Sequence, residues 1–147
     1  MREIQCKAKV KDWKEKPTDE QWIYGYYVQG LNMYEEPIHI IFDPTTMFFS
    51  HGETDGWEEI DPDTLCKCTG LTDKNENKIW ENDIVKGLFY HGLKVKAVVA
   101  FKYGVFGLKW NRGDVEEFSA FTSICNVEYE IIGNIFDNPE LLKGGAE

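Results

Sequence analysis

No run of the sequence approaches the ~20 consecutive apolar residues that a membrane-spanning helix requires. The opening Met1-Arg2-Glu3-Ile4 carries charge at once and lacks the apolar core of a secretory signal, so the chain is expected to stay in the cytoplasm. Cysteine is sparse: Cys6, Cys66, Cys68 and Cys125 are expected as reduced thiols in that compartment. Cys66 and Cys68 stand one residue apart, not the two or more of a zinc pair, and no second pair follows. Histidine is limited to His39, His51 and His91, none in paired-ligand spacing with another histidine or a cysteine. Ser50, Ser119 and Ser123 lie in no Gly-x-Ser-x-Gly elbow, and Cys125 has no histidine close in sequence. A phosphate loop and a dinucleotide fingerprint are missing too; Gly104 and Gly107 fall inside a hairpin pattern, where glycine serves turn geometry. Asp55, Glu58 and Glu59 lack the regular ligand loop of a calcium hand. These absences predict no catalytic residue, no cofactor-binding residue and no metal ligand, hence no enzyme and no cofactor.

What remains is globular. The 147 residues are 42% hydrophobic and 14% aromatic, enough to bury a core without disulfide or metal. The net charge is −10, spread without a long acidic run, which fits a solvated surface. That balance opposes non-specific nucleic-acid binding, which depends on lysine and arginine displacing phosphate counterions. It equally opposes docking on anionic lipid.

Strand signals dominate. Ile4 to Val10 alternates, with Ile4, Cys6, Ala8 and Val10 on one face and Gln5, Lys7 and Lys9 on the other, as in a half-buried strand. A polar tip from Lys14 to Glu20 interrupts it, and Gln21 to Gln29 reads as the returning strand, with Gly25 a bulge or close-approach point. Ile38 to Phe42 suits a buried strand. Asp61 and Pro62 predict a capped helical turn through Leu65. Asp73 to Asn77 is a dense turn cluster, and Asn82 is a candidate for positive φ. From Asp83 the pattern becomes a β-meander. Leu93, Val95, Ala97, Val99 and Phe101 share one face, Lys94, Lys96 and Lys102 the other, and Phe106, Leu108 and Trp110 fall together after the Tyr103-Gly104 turn. Val127 to Phe136 supplies the last strand, and Asn138 to Leu142 a short capped helical turn. The expected fold is mainly β with short helical turns. A small N-terminal β-rich subdomain (1–65) packs, through a turn-rich connection (66–82), on a C-terminal SH3-like β-barrel (83–147), since closure hides strand edges.

Three blocks resemble the YopX family, small proteins encoded by bacteriophages and prophages of low-GC Gram-positive bacteria. The first is Met1-Arg2-Glu3-Ile4 with Trp22-Ile23-Tyr24-Gly25-Tyr26-Tyr27. The second is Ile60 to Leu65 running on through Thr69 to Asn75 and Ile79 to Val85. The third is Glu130 to Leu141. Asn82 departs from the glycine usual before the Asp-Ile-Val run, and Lys67-Cys68 stands where glutamine and an aromatic are common. Either residue type tolerates left-handed backbone at position 82, so the turn should survive. The resemblance implies a fold, a phage-related origin and a bacterial host cytoplasm. It carries no activity.

Aromatics are the one excess: Trp22, Tyr24, Tyr26, Phe89, Tyr90, Phe106 and Trp110 suit either a core or an exposed partner-binding patch. The expected function is therefore non-enzymatic, by interaction with an unknown protein partner or by homo-oligomer formation. The alternative is nucleic-acid association, through Lys86, Lys94, Lys96, Lys102, Lys109 and Arg112 of the C-terminal half.

Overall fold

The structure, a computed structural model, describes residues 5–43, 56–88, 94–121 and 129–143. It is mainly β, in antiparallel sheets, and divides into two compact units, Met1–Lys67 and Cys68–Glu147.

In the first unit β1 (Cys6–Lys9) pairs with β2 (Trp22–Leu31), β2 with β3 (Pro37–Phe42), and β3 with β4 (Trp57–Glu59). The segment from β1 to β2 is built from two 3-10 turns, Trp13–Glu15 and Thr18–Glu20. Alternation sorts the side chains as expected on one face: Cys6, Ala8, Ile41 and Ile60 form the core, with Ile23, Tyr27 and Leu65 against it. Gly25 is required where β2 crosses β3, because a Cβ there would strike the carbonyl oxygen of Phe42. Asp61 caps the 3-10 turn Pro62–Thr64, accepting from the Asp63 amide at 3.1 Å, as the Asp-Pro pattern predicts.

The opposite face of β1 departs from expectation. Lys7 and Lys9 were expected in solvent, yet both are buried, Lys9 completely. Indole rings roof them. Lys7 Nζ lies 4.5 Å from the Trp22 ring centroid, and Lys9 Nζ 4.1 Å from that of Trp13. Aromatic faces attract ammonium groups and their bulk displaces water, so the strand is covered on both sides despite its polar alternation.

β5 (Cys66–Thr72) begins in the first unit, where Cys66 and Lys67 pair with Lys7 and Cys6. It continues in the second, where Cys68 and Thr72 pair with Trp80 and Lys78 of β6 (Lys78–Trp80). Residues 66–82 thus carry a hairpin around the Asp73–Asn77 turn.

The meander follows as β7 (Asp83–Leu88), β8 (Lys94–Lys102), β9 (Val105–Arg112) and β10 (Val115–Ala120). β11 (Glu130–Asn134) returns beside β7, giving the order β10-β9-β8-β7-β11. Among the described residues this is an open sheet. Val85, Ala97, Val99 and Leu108 bury one face together with Ile79 and Tyr129. Tyr103 and Gly104, at φ 54 and 82, make the β8–β9 turn, matching the doubly positive geometry that two-residue hairpins prefer.

Candidate interaction surface

Several of the described residues with conventional reactive chemistry are engaged within the fold. His39 Nδ1 lies 2.6 Å from the Tyr27 hydroxyl, and the two rings stack. His39 also lines an open pocket of about 360 Å³ with Lys11, Asp12, Glu59 and Asp61. There Glu59 pairs with Lys11 at 3.3 Å, while Asp61 accepts from the Trp13 indole at 3.1 Å. Cys6 and Cys66 are buried thiols, Cys66 donating to the Thr64 carbonyl at 3.2 Å, and Cys68 is half-buried. Among the described residues no group of three or more histidine, cysteine or acidic side chains is placed to hold a metal. Glu58 is exposed on β4, and Ser119 is half-buried on β10. Gly107 takes its place through close approach, since a Cβ would strike the Ser119 carbonyl oxygen; with Gly104 in the turn, the pair serves hairpin geometry. His51, His91, Ser50, Ser123, Cys125 and Asp55 lie outside the described residues.

Buried polar groups form two structural anchors. Lys9 Nζ donates to Gln21 Oε1 at 2.6 Å, and the Lys9 amide donates to Thr64 Oγ1 at 2.8 Å. In the second unit Asp73 accepts from the amides of Asn75 and Asn77, each at 2.9 Å, and from Ile131 at 3.1 Å. Burial opposes the Asp73 charge, but the amides of Asn77, Ile131 and Asn75 outweigh it and hold the carboxyl below the ordinary aspartate value. Nearby, Asn82 takes φ 73, its amide donates to Val99 O at 2.8 Å, and its carbonyl accepts from Ile135 at 3.1 Å. Asp83 accepts from the Trp80 amide at 2.8 Å. Asn134 Oδ1 accepts from Phe136 and Asp137. The second and third sequence blocks therefore supply ties of β5, β6, β7 and β11.

The lysine stripe exists but is compensated. Register places Lys86, Lys96, Lys102 and Lys109 on one face of the second sheet, with Glu116 and Glu130 among them, while the side chains of Lys94 and Arg112 lie outside the described ones. Lys102 bonds Glu116 at 2.6 Å, with Lys109 3.9 Å from the same carboxylate, and Lys86 pairs with Glu130 at 3.6 Å. The Glu116 hydrogen bond raises the Lys102 pKa, and Lys102 lowers that of Glu116. Lys96 donates to the Leu141 carbonyl at 3.4 Å.

The aromatics divide. Trp22 covers lysine, Trp110 packs on the second core, and Phe106 meets Phe101 edge-on at 4.8 Å. Tyr26 is half-buried against Phe42, at 5.7 Å between centroids. Tyr24 is exposed. Phe89 and Tyr90 lie outside the described residues. Register sets Tyr24, Tyr26, Val28, Phe42 and Trp57 on one face of the first sheet, and Tyr24, Val28 and Trp57 stand exposed there. Sequence reasoning missed Trp57 and also Leu31, Met33 and Tyr34, exposed at the β2–β3 turn. Asn32, a residue that nucleates turns by bonding its own backbone, was the available signal.

The YopX family, described as YopX protein, matches residues 13–143. The chain belongs to the YopX family. The crystal structure of protein yopX from Bacillus subtilis is 16% identical, with a TM-score of 0.53 over 97% of this chain and 100% of that one. Protein EF1440 from Enterococcus faecalis is 19% identical, with a TM-score of 0.50 over the same shares. No curated protein matches the chain. At these identities the YopX likeness is one of fold.

Proposed function

We propose that this YopX-family chain is a non-enzymatic accessory protein of phage or prophage origin, acting in the host cytoplasm by protein–protein contact or self-assembly. One observation carries the reading: large apolar side chains stand exposed along β2, at the β2–β3 turn and on β4 of the first unit. Burial of such side chains against a partner is the main favourable term in association, and tyrosine and tryptophan dominate interface hot spots. The second unit serves in this reading as an SH3-like scaffold. β11 returning beside β7 is the pairing by which a meander begins to curl toward a barrel.

Nucleic-acid binding is the weaker reading, because the described lysines of the stripe are already bonded to carboxylates or to a carbonyl. Size-exclusion chromatography with light scattering, joined to affinity capture from the encoding organism, tests the interaction reading. An oligomer or one retained partner is expected. A strict monomer that retains nothing would remove its support.

A further inference from the structure

We infer that the β2–β3 turn is the point of contact, and that its occupant is a protein presenting an apolar cleft rimmed by lysine or arginine. This rests on the interaction reading above and specifies its site and its partner's chemistry. The turn is held from within. Asn32 Oδ1 accepts from the amides of Tyr34 at 2.8 Å and Glu36 at 3.0 Å. The Asn32 amide donates to Glu36 O at 2.9 Å, and that of Glu35 to Asn32 O at 3.0 Å. Glu35 adopts left-handed backbone at φ 62. On this frame Leu31, Met33 and Tyr34 are 66%, 85% and 74% exposed.

A fixed turn loses little further backbone freedom on binding, so more of its apolar burial appears as affinity. Methionine adapts to an irregular cavity, and tyrosine adds a large ring with a polar tip. Glu35 and Glu36 stand exposed beside this knob and call for cations at the rim of whatever receives it. A second copy of the chain suits it poorly. The copy carries −10, and the pocket described in the first unit sets Asp12, Glu59 and Asp61 around one lysine, Lys11. An anionic lipid surface is opposed by the same two glutamates.

The test replaces Met33 with the photocrosslinker benzoylphenylalanine in the full chain. The protein is irradiated in lysate of the encoding organism, and the crosslinked peptide is sequenced. The expected result is an adduct to another protein, at a peptide carrying apolar residues with lysine or arginine. Its yield should fall about tenfold in the Glu35→Lys/Glu36→Lys double variant, and again when salt is raised from about 50 mM to about 500 mM. Circular dichroism confirms that each variant is folded. An adduct to a second copy or to lipid, a yield indifferent to charge reversal, or no adduct overturns the inference. If unmodified chain still captures a partner and the Met33→Ser/Tyr34→Ser variant captures it equally, the turn is refuted while the interaction reading stands. If the unmodified chain captures nothing and stays monomeric, both fall.

Discussion

At Asp73 a single carboxylate orders both its own turn and the start of β11. Replacement by asparagine keeps one acceptor for the Asn75 and Asn77 amides but turns an NH2 donor toward the Ile131 amide, which also donates. Asp73→Asn should therefore lose about 1–3 kcal/mol at neutral pH, read by denaturant unfolding. The folded-state pKa lies below the unfolded one, so the stabilisation is complete above the unfolded value of about 3.9 and is lost as pH falls through the folded value. The gap between wild type and Asp73→Asn should narrow as the pH drops below about 4. The turn itself was legible in the sequence, because asparagine and aspartate cluster there. That its aspartate would reach Ile131, far along the chain, was not, since no local pattern encodes a long-range partner. Gly25 offers a paired comparison within one strand. Gly25→Ala must displace the Phe42 carbonyl and should cost about 1–3 kcal/mol, whereas Gly30→Ala meets nothing within 4 Å and should change stability by less than about 0.5 kcal/mol. Thermal melts of the two variants decide it.

Among the elements, β1 shows where alternation misleads. The period of two correctly put Cys6 and Ala8 in the core, but it could not foresee Trp13 and Trp22 closing over Lys7 and Lys9. Tryptophan in a polar connecting segment was the available hint. At the β2–β3 turn, Asn32→Ala removes the acceptor for two amides. Amide exchange at Tyr34 and Glu36 should accelerate while the global unfolding midpoint stays nearly constant, because exposed turns open locally at little cost to the rest. Equal protection in variant and wild type would show that the turn is held by its strands alone. The facing of the meander after Asp83 was readable, since Val85, Ala97, Val99 and Leu108 bury one face, and so was its β8–β9 turn, where Tyr103 and Gly104 take positive φ.

For the whole molecule, the sequence conveyed a mainly β chain and its family, because strand period and turn chemistry are local and recur along its length. Which aromatics remain in solvent was hidden, since tyrosine and tryptophan read alike in a core and at an interface. The charge account makes its own forecast: a gel-shift titration at about 50 mM salt, where counterion release is strongest, should show no DNA or RNA binding. The central claim is that exposed apolar side chains of the first unit bind protein. Its most direct measurement is affinity capture by the wild-type chain beside a folded variant with Tyr24, Leu31, Met33, Tyr34 and Trp57 all changed to serine. A retained partner, or a second copy, that disappears with the variant is the predicted result; retention unchanged by those substitutions would contradict it.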